Sequence, residues 1–390
     1  MTRKASSRLG RYETSTVAGE SIRAYVPPPL PPSPSIDLGP FFKQIEAANR
    51  ALGHLDGMTS ILPDTPLFLY MYVRKEALLS SQIEGTQSSL SDLLLYESDL
   101  APGGSPEDVT EVSNYVAALY LGIRRIKAGL PLSSRLLKEV HAKLLRKGRG
   151  SRKGPGEFRR TQNWIGGTRP GNALYVPPPP QYVAECMSDL ERFIHDRERP
   201  LPLLVRAGLA HAQFESIHPF LDGNGRLGRL LITLMLHAEG VLKEPLLYLS
   251  LYLKVHRQTY YDLLQRIRTD GDWERWLAFF LDGIEETSRQ AATAAKSILD
   301  LFAKDRKAIE SLGRPAGSAL QVHQLMQKRP MITVADAVQE LPLSAPTVRK
   351  SIDHLSRLGI VSEKTGKQRD RVFVYVQYMN ALSQGTEPLR

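Results

Sequence analysis

The chain has 390 residues, 42% of them hydrophobic and 24% charged, which excludes collagen-like and wholly disordered classes and leaves room for two or three domains. Lys and Arg (51) outnumber Asp and Glu (41), a net charge of +10 that favours polyanionic partners such as nucleotides or nucleic acid. A single cysteine, Cys186, excludes an internal disulfide and a thiolate zinc site.

No apolar run follows the basic N-terminus, and the longest strongly apolar stretch, Leu230 to Leu236, falls far short of the ~20 residues of a membrane span. A cytoplasmic protein with no membrane part is expected. Residues 1–40 read as a polar stretch and then Val26-Pro-Pro-Pro-Leu-Pro-Pro-Ser-Pro-Ser35, an extended polyproline strap along the folded body or an SH3-type ligand. Residues 41–107 form an N-terminal helical region, with helical spacing from Leu67 to Tyr96. Residues 108–285 form a larger, mostly helical domain. Its apolar spacing predicts helices over Asp108–Ala128, Leu136–Leu145, Pro179–Asp196, Leu201–Glu215, Arg226–Glu239 and Ser250–Thr269. Between Gly148 and Pro180 the period stops, and two short β segments around a turn are predicted at Asn163-Trp-Ile-Gly-Gly and Ala173-Leu-Tyr-Val. The spacing from Trp273 to Lys307 predicts a long connecting helix, with 286–312 as the linker. Residues 313–385 give helices at Ala319–Gln327 and Thr333–Leu341, then a third capped by Ser344 with Pro346 in its first turn and Gly359 past its end. Strands follow at Ile360–Glu363 and Arg371–Val376. The fold class is mainly α, with a C-terminal winged helix-turn-helix.

The densest chemistry lies between His211 and Arg229. His211, Glu215 and His218 at i, i+4 and i+7 could ligate a metal from one helical face. Pro219, however, biases His218 away from helical geometry, which favours His211 and Glu215 as a pair bonded within the core. The other reading starts at Asp222-Gly-Asn-Gly225. A glycine turn feeding a helix start presents unpaired N–H groups to an anion. Arg226 and Arg229, three apart, share a face and can reach phosphate oxygens. Asp222 beside such a nest calls for a bridging cation, Mg²⁺, and His218 can act as a base near neutral pH. These are the parts of nucleotidyl or phosphoryl transfer.

His218-Pro-Phe-Leu-Asp-Gly-Asn-Gly-Arg-Leu-Gly-Arg229 resembles the signature of the Fic family, HPFx(D/E)GNGRxxR, at every fixed position. The resemblance implies a helical Fic fold that transfers AMP from ATP to a Ser, Thr or Tyr hydroxyl of a target protein, or of itself. By that resemblance His218 deprotonates the hydroxyl and Asp222 holds Mg²⁺. Gly223, Asn224 and Gly225 line the anion hole, Arg226 and Arg229 hold the β- and γ-phosphates, and Phe220 anchors the loop. The glycines around Asn224 favour AMP transfer over the phosphate transfer of the Doc branch. Ser80-Ser-Gln-Ile-Glu84-Gly85 is similar to the family's inhibitory motif (S/T)xxxE(G/N), which implies that Glu84 bonds an arginine, most readily Arg229, and denies it to ATP. Gly156 to Pro180 resembles the family's flap, which holds a target segment by strand addition. Tyr260 and Tyr261 resemble the stretch that lines the nucleoside pocket; their other reading is core aromatics.

Residues 300–390 hold 14 Lys and Arg against 9 Asp and Glu, about half of the net charge. Arg349, Lys350 and Arg357 on the third helix and Lys364, Lys367, Arg369 and Arg371 on the hairpin suit DNA contact, although such a module also docks proteins or pairs two copies in a homodimer. Two further readings stand beside AMP transfer. One is a nucleotide-sensing DNA-binding regulator; the other is a de-AMPylase in which Glu84 orients water.

Overall fold

The structure, a computed structural model, describes residues 8–17, 19–58, 65–97, 105–198, 200–366 and 370–388. It opens on a β-hairpin that the sequence reading passed over. Arg11–Val17 (β1) pairs antiparallel with Glu20–Val26 (β2), from Arg11 opposite Val26 to Val17 opposite Glu20. In β2, Ile22, Ala24 and Val26 turn inward while Ser21 and Arg23 face out, the period of a half-buried strand. The strap begins only after Val26. There Pro27 and Pro32 are buried, and Gln213 Nε2 donates to the Pro28 carbonyl at 2.7 Å.

Eleven helices follow: Phe42–Met58 (α1), Thr65–Ile83 (α2), Leu90–Glu97 (α3), Pro106–Lys127 (α4), Ser134–Leu144 (α5), Pro180–Ile194 (α6), Leu203–Ile217 (α7), Asn224–Ala238 (α8), Ser250–Val255 (α9), Arg257–Asp270 (α10) and Trp273–Glu310 (α11). Their starts carry local reasons. Proline sits in the first turn of α4 and α6, where its missing N–H costs nothing. Ser133 accepts from the Leu136 amide to cap α5, and Asp272 caps α11. The periodicity from Leu67 to Tyr96 is broken at Gly85, at φ +100, into α2 and α3. That from Ser250 to Thr269 is broken at His256.

Helix α7 is the hub, buried from Leu204 to Ile217 and packed by α6, α8 and α11. The 38 residues of α11, about 57 Å at ~1.5 Å per residue, lie against α1 and α7 first. Trp276 Nε1 donates there to the Gly208 carbonyl at 2.9 Å. The expected 286–312 linker is the distal part of this unbroken helix.

Beyond it come Ala316–Lys328 (α12), Met331–Ile332 (β3), Val334–Glu340 (α13), Ala345–Arg357 (α14), Val361–Glu363 (β4), Phe373–Tyr375 (β5) and Val376–Ser383 (α15). The three strands form an antiparallel sheet in the order β3-β5-β4. Pro346 opens α14 and Gly359, at φ +71, closes it. Ser344 stands at the start as expected, but its hydroxyl bonds Thr347 Oγ1 at 2.9 Å and caps no amide. Strand β3 and helix α15 were not anticipated. Tyr375 OH donates to Asp305 Oδ2 of α11 at 2.6 Å, which seats the module on the long helix. Lys367 and Arg369 lie outside the described residues. Among the described residues, no helix is long and apolar enough to cross a membrane.

Candidate functional site

Helix α7 stops at His218, whose backbone is left-handed at φ +48; the following proline keeps the chain from continuing the helix. The loop ends at Gly223, at φ +75, a conformation that glycine adopts without Cβ strain, and α8 begins at once. Asn224 closes the loop on itself. Its Oδ1 accepts the Phe220 amide at 2.9 Å and its Nδ2 donates to the Phe220 carbonyl at 2.8 Å. The Asn224 side chain is therefore a loop clamp, and only its backbone remains for an anion. Phe220 is fully buried, as expected of an anchor, and stacks at 3.8 Å on His141. Asn224→Ala leaves a buried amide and carbonyl without these partners, so we expect a stability loss of about 2 kcal/mol, read as a lower urea midpoint.

Two residues that the motif does not contain hold His218 and Asp222 in place. Arg159 is buried and donates from Nε to the His218 carbonyl at 2.9 Å, and its amide donates to the Pro219 carbonyl at 2.9 Å. His141 accepts the Gly156 amide on Nδ1 at 2.8 Å, which leaves Nε2–H to donate to the Asp222 carbonyl at 2.9 Å. Burial pushes His141 down to about 4, so the ring stays neutral in that tautomer. Arg159 lies in the glycine-rich stretch after α5, where its charge could have flagged it; nothing in the local sequence marks His141.

The His218 imidazole is half-buried, and its Nδ1 has no hydrogen-bond partner. Burial, with the charges of Arg159 and Arg268 behind it, pushes the ring down to about 3, so it is a neutral proton acceptor at pH 7. Asp222 keeps 29% of its side chain exposed. Its Oδ1 accepts the Gly223 amide at 2.6 Å and lies 3.6 Å from Arg226 Nη2.

Arg226 and Arg229 share a helix face but end in different places. Arg226, 1% exposed, pairs through Nη1 with Glu111 Oε2 of α4 at 3.2 Å. Glu111 also holds Arg149 at 3.1 Å. Spacing sets the side of the helix from which an arginine leaves, and the buried carboxylate decides where this one stops. Arg229 donates from Nε to Ser80 Oγ at 2.8 Å, and from Nη2 to the Ser80 carbonyl at 2.9 Å and Glu84 Oε1 at 2.7 Å. The predicted pairing of Glu84 with Arg229 is present, with Ser80 as a second acceptor. A Cβ on Gly225 would overlap Glu84 Oε1, so this carboxylate lies on the first turn of α8, where the amides have no helical acceptor. Burial alone would raise Glu84, but Arg229 outweighs it, helped by Arg226 and His218, and holds the carboxyl below its ordinary range.

Tyr260 is 1% exposed, and its hydroxyl bonds His211 Nε2 at 2.9 Å. It sits as a core aromatic. Tyr261 is 37% exposed, beside the Tyr260 ring and under Arg257. His211 turns its other nitrogen to the Gly228 carbonyl at 2.9 Å, so it pairs with Gly228 and Tyr260 where Glu215 was expected. Glu215 Oε1 is buried with no partner. Among the described residues no group of three or more His, Cys, Asp or Glu is placed to hold a metal, so the 211–215–218 triad does not form.

The predicted hairpin at 163–176 reduces to one antiparallel bridge, Ile165 to Tyr175, with a 3-10 turn at Pro170–Asn172. Tyr175 OH donates to the Ser216 carbonyl at 2.5 Å, tying this segment to the end of α7. On its other side the Tyr25 amide of β2 donates to the Val176 carbonyl at 2.9 Å, and Glu20 accepts from Arg169 and the Gly171 amide at 2.8 and 2.9 Å. The N-terminal hairpin thus braces the 165–176 segment.

A mainly helical body therefore carries a histidine loop that feeds a glycine-lined helix start, whose Arg229 is held by a glutamate from the turn that follows α2. The chain carries Fic N-terminal and Fic domains: residues 42–124 match the domain described as Fic/DOC family N-terminal, and residues 131–236 the domain described as Fic/DOC family. Over 209 residues it is 32% identical to the protein adenylyltransferase Fic of Culex quinquefasciatus and 31% identical to that of Aedes aegypti, matches that cover 53% of this chain and 39% of each relative. The matched part thus spans about two fifths of these relatives. Among solved structures, a Fic family protein from Desulfovibrio desulfuricans G20 is similar with a TM-score of 0.55 and 20% identity, over 85% of this chain and 96% of that one. A Fic domain containing signaling protein from Bacteroides thetaiotaomicron VPI-5482 has a TM-score of 0.50 and 19% identity, over 65% and 97%. At these identities the likeness is one of fold.

Proposed function

We propose that the chain is a protein adenylyltransferase that moves AMP from ATP to a hydroxyl of a target protein, or of itself, and that Glu84 inhibits it. The observation that carries this reading is the Glu84 carboxylate, bonded to Arg229 at 2.7 Å while resting on Gly225. It occupies the place that a helix start of this kind offers to phosphate. When Glu84 leaves, Arg229 and the first amides of α8 receive the triphosphate. The neutral His218 takes the proton of the incoming hydroxyl, whose oxygen attacks the α-phosphorus as the bond to the β-phosphate oxygen breaks and pyrophosphate departs. Positioning and charge neutralisation supply most of the rate in such transfers.

Asp222 is the residue for Mg²⁺. A single half-exposed carboxylate beside an anion nest suits an ion that keeps most of its waters and completes its shell with substrate phosphates. When bound, the ion neutralises charge on the α- and β-phosphates. Ile165 spends its amide and carbonyl on Tyr175 and Leu174, so the outward backbone groups of Trp164 and Gly166 are the edge to which a target strand would add. Incubation with α-labelled ATP and Mg²⁺ tests the reaction: label should appear on protein, and its absence from every active-site variant and candidate target would end the reading.

The pH dependence follows from His218. A depressed value means that the ring stays unprotonated as pH falls through the ordinary histidine value near 6.5, down to about 3. Removing Glu84 takes away a negative neighbour that raises it, so the base stays neutral in an activated variant too. The kcat/KM of Glu84→Gly, which reports the free protein, should show no histidine limb between about pH 8 and pH 6. A midpoint near 6.5 would contradict this assignment.

The charge of the C-terminal module supports DNA contact as a second role. Arg349, Lys350 and Arg357 are all exposed on α14, and Lys364 is exposed beyond β4. The helix–helix–helix order with a three-stranded sheet supports the winged-helix reading.

A further inference from the structure

We infer that the segment 384–388, which follows α15, holds the inhibitory turn in place through Gln82 and Lys254, and that displacing it releases Glu84 from Arg229. The inference rests on the inhibitory reading of Glu84 and adds to it a control lying outside the Fic domains.

Gln82 lies in the last turn of α2, two residues before Glu84, and is fully buried. Its amide is used completely. Nε2 donates to the Ser88 carbonyl at 3.0 Å and to the Thr386 carbonyl at 2.8 Å, and Oε1 accepts from Lys254 Nζ at 2.7 Å. Lys254 of α9, 6% exposed, donates in addition to the Gly385 carbonyl at 3.2 Å and to the Glu387 carbonyl. Three consecutive backbone carbonyls of the segment thus satisfy one buried amide and one buried ammonium. Thr386 itself is buried and its amide bonds the Ser383 carbonyl at 2.9 Å, which keeps the segment folded against α15. The same Gln82 ties α2 to Ser88, across a turn closed by bonds from the Glu84, Gly85 and Thr86 amides to Ser81 and Gln82 carbonyls.

Without the segment, Lys254 keeps one of its three acceptors. A buried ammonium with so few partners is costly, so it turns out to water and takes its bond to Gln82 with it. Gln82 then retains only Ser88, and the turn that aims Glu84 loses its outer wall. Gln82 and Lys254 are positioning residues in this device. Among the described residues their side chains bond each other, Ser88 and the segment, and not the 218–229 loop and helix start, so the effect on the site passes through Glu84. Helix α15 packs on α2 and α11 and beside β5, which links the segment to the C-terminal module.

Two variants of the whole 390-residue chain test this. Gly385 sits at φ +78 and a Cβ there would lie 2.8 Å from Leu251 Cδ1, so Gly385→Val pushes the segment away and leaves Gln82 untouched. Lys254→Met keeps the apolar stem and removes the donor. Each should speed amide hydrogen exchange at residues 82–88 with α7 and α8 unchanged, and should raise labelling from α-labelled ATP on the order of tenfold, within the usual range of coupling between sites. Neither should add to the labelling of Glu84→Gly, because both act through that side chain. Unchanged exchange at 82–88 in Gly385→Val overturns the inference. So does a gain in label that persists on top of Glu84→Gly, or no gain in either variant while Glu84→Gly is active. If Glu84→Gly itself stays silent, the inhibitory reading has failed, and the exchange experiment still decides whether the segment holds the turn.

Discussion

Glu84→Gly should attach AMP about 10- to 100-fold faster than the parent chain. The size follows from what Arg229 must give up to meet a phosphate. A hydrogen bond between charged partners is worth ~1.5–3 kcal/mol net, and ~1.4 kcal/mol is a factor of ten in rate. The 2.7 Å bond from Arg229 Nη2 to Glu84 Oε1 is of that kind. Removing the carboxylate also clears the space over Gly225 and withdraws a negative charge from the place where three phosphates must settle. The Ser80 contacts keep Arg229 ordered while it waits. Glu84→Gln should give only part of the gain: it removes the charge but leaves the bulk on the helix start. Equal labelling by parent and Glu84→Gly, at saturating ATP, would show that this contact does not limit the reaction.

His218→Ala should reduce labelling by about 10³-fold in the Glu84→Gly background. A positioned base contributes roughly 10²–10⁴-fold, and no other neutral imidazole shares its position, since His141 spends both nitrogens on Gly156 and Asp222. Alanine at the left-handed backbone of residue 218 costs only about 1–2 kcal/mol, borne by the loop clamps of Asn224 and Arg159. Folding should survive, and a thermal melt near that of the parent would separate lost chemistry from lost structure. His218→Asn, whose side chain tolerates that backbone better, should be equally inactive. Substantial labelling by either variant would remove His218 from the reaction.

The boundaries of α4 to α8 and the loop from His218 to Arg229 were legible because each rests on local chemistry. Apolar residues recur at helical spacing, proline follows histidine, and glycine occupies the left-handed turn. The Glu84 pairing was legible through a short motif. Other features depend on partners far away in the chain. The N-terminal hairpin looked like a polar stretch, since Ile22 and Ala24 find their apolar neighbours in Ala173 and Val176, some 150 residues away. Tyr260 could be read as pocket or core until His211 appeared beside its hydroxyl. Asn224 looked like an anion ligand, whereas its amide spans the two backbone groups of Phe220.

What the amino-acid order determined by itself is the kit: a histidine, a carboxylate, a glycine turn and two arginines within twelve residues, where chain connectivity alone keeps them close. The tertiary structure decided how each is employed. Glu111, 115 residues away, takes Arg226, while Ser80 and Glu84 take Arg229; Arg159 and His141 pin the loop, and a carbonyl some three hundred residues from Gln82 takes its side-chain amide. Those choices depend on which buried charges and amides meet, and a buried polar group takes whatever partner packing brings within reach, however distant in sequence.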